Sequence, residues 1–107
     1  MPRRPRYAFV FAPEVVPHLD AIERQHHSAL QQAIDQQLTF TPDEGTRNRK
    51  PLEQPAPFAA TWELRCGRRN RFRVFYDVDS EQRIVSILAI GVKDRNRLLF
   101  GGEEYQS

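Results

Sequence analysis

The sequence predicts an α+β layer sandwich in the order β-α-α-β-β-β, with two helices packed on one face of a sheet. Three observations lead there. Apolar residues recur at helical spacing only between Pro13 and Phe40. Runs rich in β-branched and aromatic residues fill the stretch from Thr61 to Val92. Short connections divide those runs into consecutive hairpins, the pattern of an antiparallel sheet with segregated helices. With 107 residues, 39% hydrophobic and 28% charged, the chain is expected to be a single domain spanning 1–107, with a basic arm at 1–6 and a tail at 101–107.

Each element has its own local reason. Tyr7, Phe9 and Phe11 alternate with Ala8 and Val10, which suits a short strand. Pro13 and Pro17 suit the first turn of a helix, and Val15, Leu19 and Ile22 share one of its faces, so a first helix is expected to end near His26. Ser28 and Gln31 have the spacing of a capping box for a second helix, whose apolar positions Leu30, Ile34 and Leu38 repeat every four residues before Pro42 stops it. The stretch 42–60 has four prolines and no period, and reads as a long loop of the kind that often carries function. Three strands follow, at Thr61–Cys66, Phe72–Asp79 and Arg83–Val92, joined through Gly67–Arg71 and Ser80–Gln82. The last is apolar on both faces, as a central strand covered on two sides should be. Gly101 and Gly102 are expected to precede a frayed tail.

Composition excludes several classes. No apolar run approaches the roughly 20 residues of a membrane span, and the N-terminal apolar stretch is too short for a secretory signal, so the expected location is the cytosol, with no membrane partner. A lone cysteine, Cys66, allows no internal disulfide, and the adjacent His26 and His27 do not share a helix face; no metal and no cofactor is expected. Cys66 reads as a small core residue, and His18, His26 and His27 as solvent-facing or half-buried side chains of the helical region. No glycine-rich phosphate loop precedes a helix, which removes Walker-type nucleotide binding.

Charge position says more than charge sum. The net charge is only +2, but 14 of the 16 basic residues are arginine, the side chain suited to bidentate contact with phosphate or carboxylate. Five of the nine residues from Arg65 to Arg73 are arginine, with no acid among them; Arg3, Arg4 and Arg6 form a second cluster, and Lys93, Arg95 and Arg97 a third. Strand alternation places Glu63 and Arg65 on the face opposite Trp62 and Leu64, and a hairpin brings Arg65 beside Arg73. Two readings of that face stay open. In one, Arg65 and Arg73 clamp a phosphodiester that Lys93 or Arg95 closes; in the other, Glu63, Arg65, Arg73 and Asp77 form a cross-strand ladder of ion pairs.

The motifs NRKPL (48–52), WELRCG (62–67), FRVFYDVD (72–79) and ILAIGVKDRNRLLFGGEE (87–104) resemble the RelE/ParE superfamily of bacterial type II toxins over nearly the whole chain. The resemblance implies the small RelE-like layer sandwich, a cognate antitoxin as partner, and in RelE-like members cleavage of messenger RNA on the ribosome without a metal. It implies catalytic roles for Arg73, Arg65, Glu63 and Lys93, with Glu63 standing where RelE has a lysine and serving as candidate base. It implies RNA contacts by Lys50, Arg68, Arg69, Arg71, Arg95 and Arg97. Leu99 or Phe100 stands where RelE has a late tyrosine, which leaves the general acid unassigned. The superfamily also contains ParE-like proteins that poison DNA gyrase without a bond-breaking site, and a non-catalytic module with a basic binding face is the third possibility.

Overall fold

The computed structural model describes residues 5–106. The chain is α+β: strand β1 (Ala8–Phe11), helix α1 (Val15–Asp20), a 3-10 turn (Arg24–His26), helix α2 (His27–Leu38), then strands β2 (Arg49–Pro51), β3 (Trp62–Cys66), β4 (Phe72–Asp79), β5 (Ile84–Asp94), β6 (Arg97–Phe100) and β7 (Glu103–Glu104). The sheet runs β2-β3-β4-β5-β6-β7, antiparallel throughout, and β1 joins it parallel to the first half of β5. One edge of β5 pairs with β4; the other is divided between β1 at Ile84–Ile87 and β6 at Val92–Asp94.

The main core lies between the helices and the sheet. Val15, Ile22, Leu30, Ile34 and Leu38 pack on Leu64, Cys66, Phe72, Val74, Tyr76, Val85, Ile87 and Ile90. A second, smaller cluster covers part of the opposite face, with Ala60, Phe75, Ala89 and Phe100 at its centre. The apolar character of β5 on both sides has two sources. It is covered on two sides, and a β-bulge between Phe75 and Tyr76 leaves Leu88 unpaired, so that Val85 and Ile87 before it and Ile90 after it all meet the helices.

Several sequence expectations need correction. The stretch 42–60 is not all loop. Arg49–Pro51 forms β2 against Leu64–Trp62, three residues being too few to show a period. The order also gains β6 and β7: the supposed tail turns at Gly101 (φ 61°) and Gly102 (φ 82°) and returns as a hairpin, because glycine enters the left-handed region without the Cβ clash. The first helix stops at Asp20, and a separate 3-10 turn fills the approach to His26. Ser28 lies inside α2 and does not cap it. His26 occupies the cap position with no side-chain bond, and Gln31 donates to Asp35 Oδ1 instead. Arg3 and Arg4 lie outside the described residues; Arg6 holds its guanidinium 5.7 Å above the Phe40 ring centre. Among the described residues, no helix is long and apolar enough to cross a membrane.

Candidate active site on the open sheet face

Antiparallel register builds the site. Lys50 on β2 pairs with Glu63 on β3, and Glu63 with Phe75 on β4; in the next row Arg65 pairs with Arg73 and Arg73 with Gly91 on β5. Because side chains in register share a face, Lys50, Glu63, Arg65 and Arg73 all project away from the helices. Lys93, two residues beyond Gly91, joins them by alternation. All four proposed catalytic residues therefore sit on one face, with Lys50 beside them.

Glu63 is the centre of this group. It is 6% exposed, accepts Arg65 Nε at 3.0 Å on Oε1, and stands 3.7 Å from an Arg73 terminal nitrogen on Oε2. Arg73 is pinned from its other end by donating Nε to the Asn70 carbonyl at 3.0 Å. One carboxylate thus separates two guanidinium groups that would otherwise repel across a strand pair. The ladder reading holds for Glu63, Arg65 and Arg73 but not for Asp77, which accepts both the Thr61 backbone N–H and its hydroxyl, at 2.8 and 2.7 Å. Lys50, Arg65, Arg73 and Lys93 outnumber the acids that register places on the same face, Glu63, Asp77 and Glu103, so positive charge remains.

The second apolar cluster walls this charged group. A Cβ at Gly91 would lie 2.8 Å from Phe100 Cε1 and 3.0 Å from Leu98 Cδ1, so glycine is what lets these side chains lie against β5 between Arg73 and Lys93. Phe100 meets Phe58, Phe75, His18 and Tyr105, its ring centre 5.0 to 5.9 Å from theirs. Tyr105 is held by its backbone bond to Leu98 and is half-buried. Sequence reasoning missed this wall. The Gly-Gly pair between RLLF and EEY was the hairpin signal that would have found it.

The remaining expected site residues lie apart from Glu63. Arg97 is ion-paired to Asp94 at 3.1 Å, and Arg95 stands exposed in the β5–β6 turn at φ 58°. Lys93 and Arg71 also line a cleft of about 390 Å³ with His18, Glu23 and Asp94. Arg68, Arg69 and Arg71 occupy the β3–β4 connection, with His26 and Phe72 on the helix side. Of the earlier candidates for acid–base chemistry, His18 is buried, not solvent-facing, and its Nδ1 accepts the Ile90 N–H at 3.2 Å. His27 Nε2 contacts the Leu19 and Ile22 carbonyls, each at 2.9 Å, and so closes the turn between the helices. Burial pushes the Cys66 thiol up to about 11, which keeps it a protonated core group. Among the described residues, no three His, Cys, Asp or Glu side chains group closely enough to hold a metal ion.

Comparison with known proteins agrees with this architecture. A chain of the toxin–antitoxin complex RelBE2 from Mycobacterium tuberculosis superimposes with a TM-score of 0.62 at 22% identity, over 82% of this chain and 99% of that one, a likeness that carries the fold. A search of curated proteins finds no significant match. Residues 9–97 match the profile of the family described as the ParE toxin of type II toxin–antitoxin systems. That match covers most of the chain and ends just where β6 begins, so the α+β sandwich with its basic sheet face belongs to the ParE toxin family of type II toxin–antitoxin systems.

Proposed function

We propose that this toxin cleaves messenger RNA on the ribosome without a metal, and that a cognate antitoxin covers it until released. The observation that carries this reading is the convergence of Glu63 with Arg65 and Arg73, at 3.0 and 3.7 Å, on a face that still holds excess positive charge. Glu63 takes the proton of a ribose 2′-hydroxyl, whose oxygen attacks the adjacent phosphorus. Arg65 and Arg73 turn from Glu63, which loses its charge on taking the proton, to the pentacoordinate phosphorane, whose equatorial oxygens gain negative charge. The bond to the 5′-oxygen breaks with Lys93 beside the departing oxygen, leaving a cyclic 2′,3′-phosphate on one fragment and a 5′-hydroxyl on the other. The 2′-hydroxyl gives its proton to Glu63, the leaving 5′-oxygen takes one from solvent water while the Lys93 ammonium stabilises its charge, and Glu63 returns its proton to solvent, so the step balances.

Primer-extension mapping of transcripts after brief induction tests this. Wild-type protein is expected to give discrete cleavage sites and arrested translation; Arg73→Ala abolishes both in a protein that still folds. Glu63→Gln lowers the cleavage rate by about 10²-fold or more, the usual scale of a lost general base.

A second reading has its own support. Glu63 is buried and engaged by both arginines, and no neutral acid stands beside it, which favours a ParE-like protein that binds DNA gyrase and breaks no bond itself. Intact transcripts together with inhibited supercoiling by purified gyrase would establish this alternative and remove the nuclease.

A further inference from the structure

Strand β1 ends the sheet beside β5 and leaves its outer edge bare. The Ala8 and Ala12 N–H groups bond the Arg83 and Ile87 carbonyls, each at 2.9 Å, so the even-numbered residues of this segment turn their backbone toward β5. The N–H and C=O groups of Phe9 and Phe11 therefore point outward, and among the described residues no strand lies on that side. The free edge stops at both ends. Tyr7, the outward residue before Phe9, spends its N–H on the Thr39 carbonyl at 2.8 Å. Pro13, the one after Phe11, has no N–H, and its carbonyl accepts the Val16 N–H at 3.2 Å. Two donors and two acceptors remain.

Nothing within β1 blunts this edge. Edge strands are ordinarily kept from pairing by a charge, a proline or a bulge, and AFVF has none of them. Its side chains are open as well: Val10 is 52% exposed and Phe11 43%. The spacing of the free groups says what fits. Antiparallel pairing about a two-fold axis at Val10 sets Phe9 opposite Phe11 of a second copy, and Phe11 opposite its Phe9, so every free N–H meets a free C=O. An axis at Phe9 would set Phe11 against Tyr7, whose N–H is taken, and an axis at Phe11 would set Phe9 against Pro13, which has none. Charge agrees with the Val10 axis. Arg6 and Glu14 stand four residues to either side of it, so each arginine arrives at the acidic end of the other copy's strand.

We propose that two copies of this chain join edge to edge through β1, antiparallel about Val10, into one continuous sheet. Four backbone hydrogen bonds form across the junction, the two Val10 side chains meet at the axis, and each exposed Phe11 ring lies against Phe9 of the other copy. The contact presents the same surface from both copies and closes on itself, so assembly stops at a dimer. Its small size puts it among weak, concentration-dependent associations. Glu63 on β3 lies three strands from the junction, so the dimer leaves that face open and the proposal rests on neither reading of it.

Sedimentation equilibrium of the full chain, loaded from about 1 μM to about 1 mM, tests this. Wild-type protein is expected to pass from the 12.5 kDa monomer to twice that mass as concentration rises. Val10→Lys and Val10→Glu, at a position open to solvent in the single chain, each set like charges face to face at the axis and weaken association by about tenfold or more. Mixed in equal amounts, the two variants set lysine against glutamate and recover the dimer, which shows that both are folded and that Val10 meets Val10. Phe11→Pro deletes two of the four hydrogen bonds while sparing those to β5, and lowers the dimer fraction with the far-ultraviolet circular dichroism of the wild type. A wild type that stays monomeric over the whole range overturns the proposal and leaves β1 to a strand of another protein. A dimer that Val10→Lys and Phe11→Pro leave intact overturns it by placing the contact elsewhere. Growth beyond the dimer mass, or a lysine and glutamate mixture that stays monomeric, removes the two-fold register.

Discussion

Two buried polar side chains explain more of the fold than their number suggests. Arg49 is 7% exposed and has no carboxylate partner among the described residues; its guanidinium donates to the Gln37 and Thr41 carbonyls and to the hydroxyls of Thr41 and Thr46. Those carbonyls lie at the negative end of α2, so helix geometry supplies the counter-charge. Arg49→Met is expected to lower unfolding free energy by about 2–3 kcal/mol in urea titration, and Arg49→Lys recovers little, since a single ammonium cannot span these acceptors. His18 accepts the Ile90 N–H at the place where β5 has no strand beside it, which requires an unprotonated Nδ1. Burial pushes this imidazole below its ordinary value, with Glu14 opposing. The unfolded chain therefore binds more protons near pH 6, and stability is full above about pH 6.5 and falls as pH drops below it. His18→Asn, whose amide oxygen replaces Nδ1, is expected to flatten that acid-side loss in denaturation curves measured from pH 7 to 5. At this scale the sequence allowed correct pairing of Arg65 with Arg73, because alternation and a short hairpin dictate it. The role of His18 was not readable, since nothing near it in the chain announces an unpaired stretch of the β5 edge at Ile90, 72 residues away.

Elements longer than a few residues declared themselves, and short ones did not. The periods of α2 and β4 are strong because each buries one face against a large core, and β4 runs from Phe72 to Asp79 as expected. β2, β6 and β7 are two to four residues long, and their existence depends on neighbours rather than on pattern. Leu88 shows the limit from another side: β5 is covered on both faces, as its apolar composition indicates, but the bulge that shifts its alternation midway leaves no mark in the sequence. The β6–β7 hairpin is fastened through Phe100 lying over Gly91. Gly91→Ala forces that ring away and is expected to destabilise the protein by about 1–3 kcal/mol, with the Tyr105 environment changing first in near-ultraviolet circular dichroism. Phe100→Ala, which removes the centre of the smaller cluster, should cost about 3 kcal/mol or more in the same measurement.

At the scale of the molecule, the layer architecture, the family and the charged face all followed from motifs spread along the chain, whereas the wall of aromatic residues beside that face did not. The division of labour is clear. Helices on one side supply most of the apolar burial, and the other side is left to charge, held open by a carboxylate that two arginines share. Among the described residues β1 pairs with β5 alone, and α1 rests against the same strand. The edge that β1 joins exists only once Ile84–Ile87 lie in register against β4, so the β4–β5 ribbon is the template on which both β1 and α1 close.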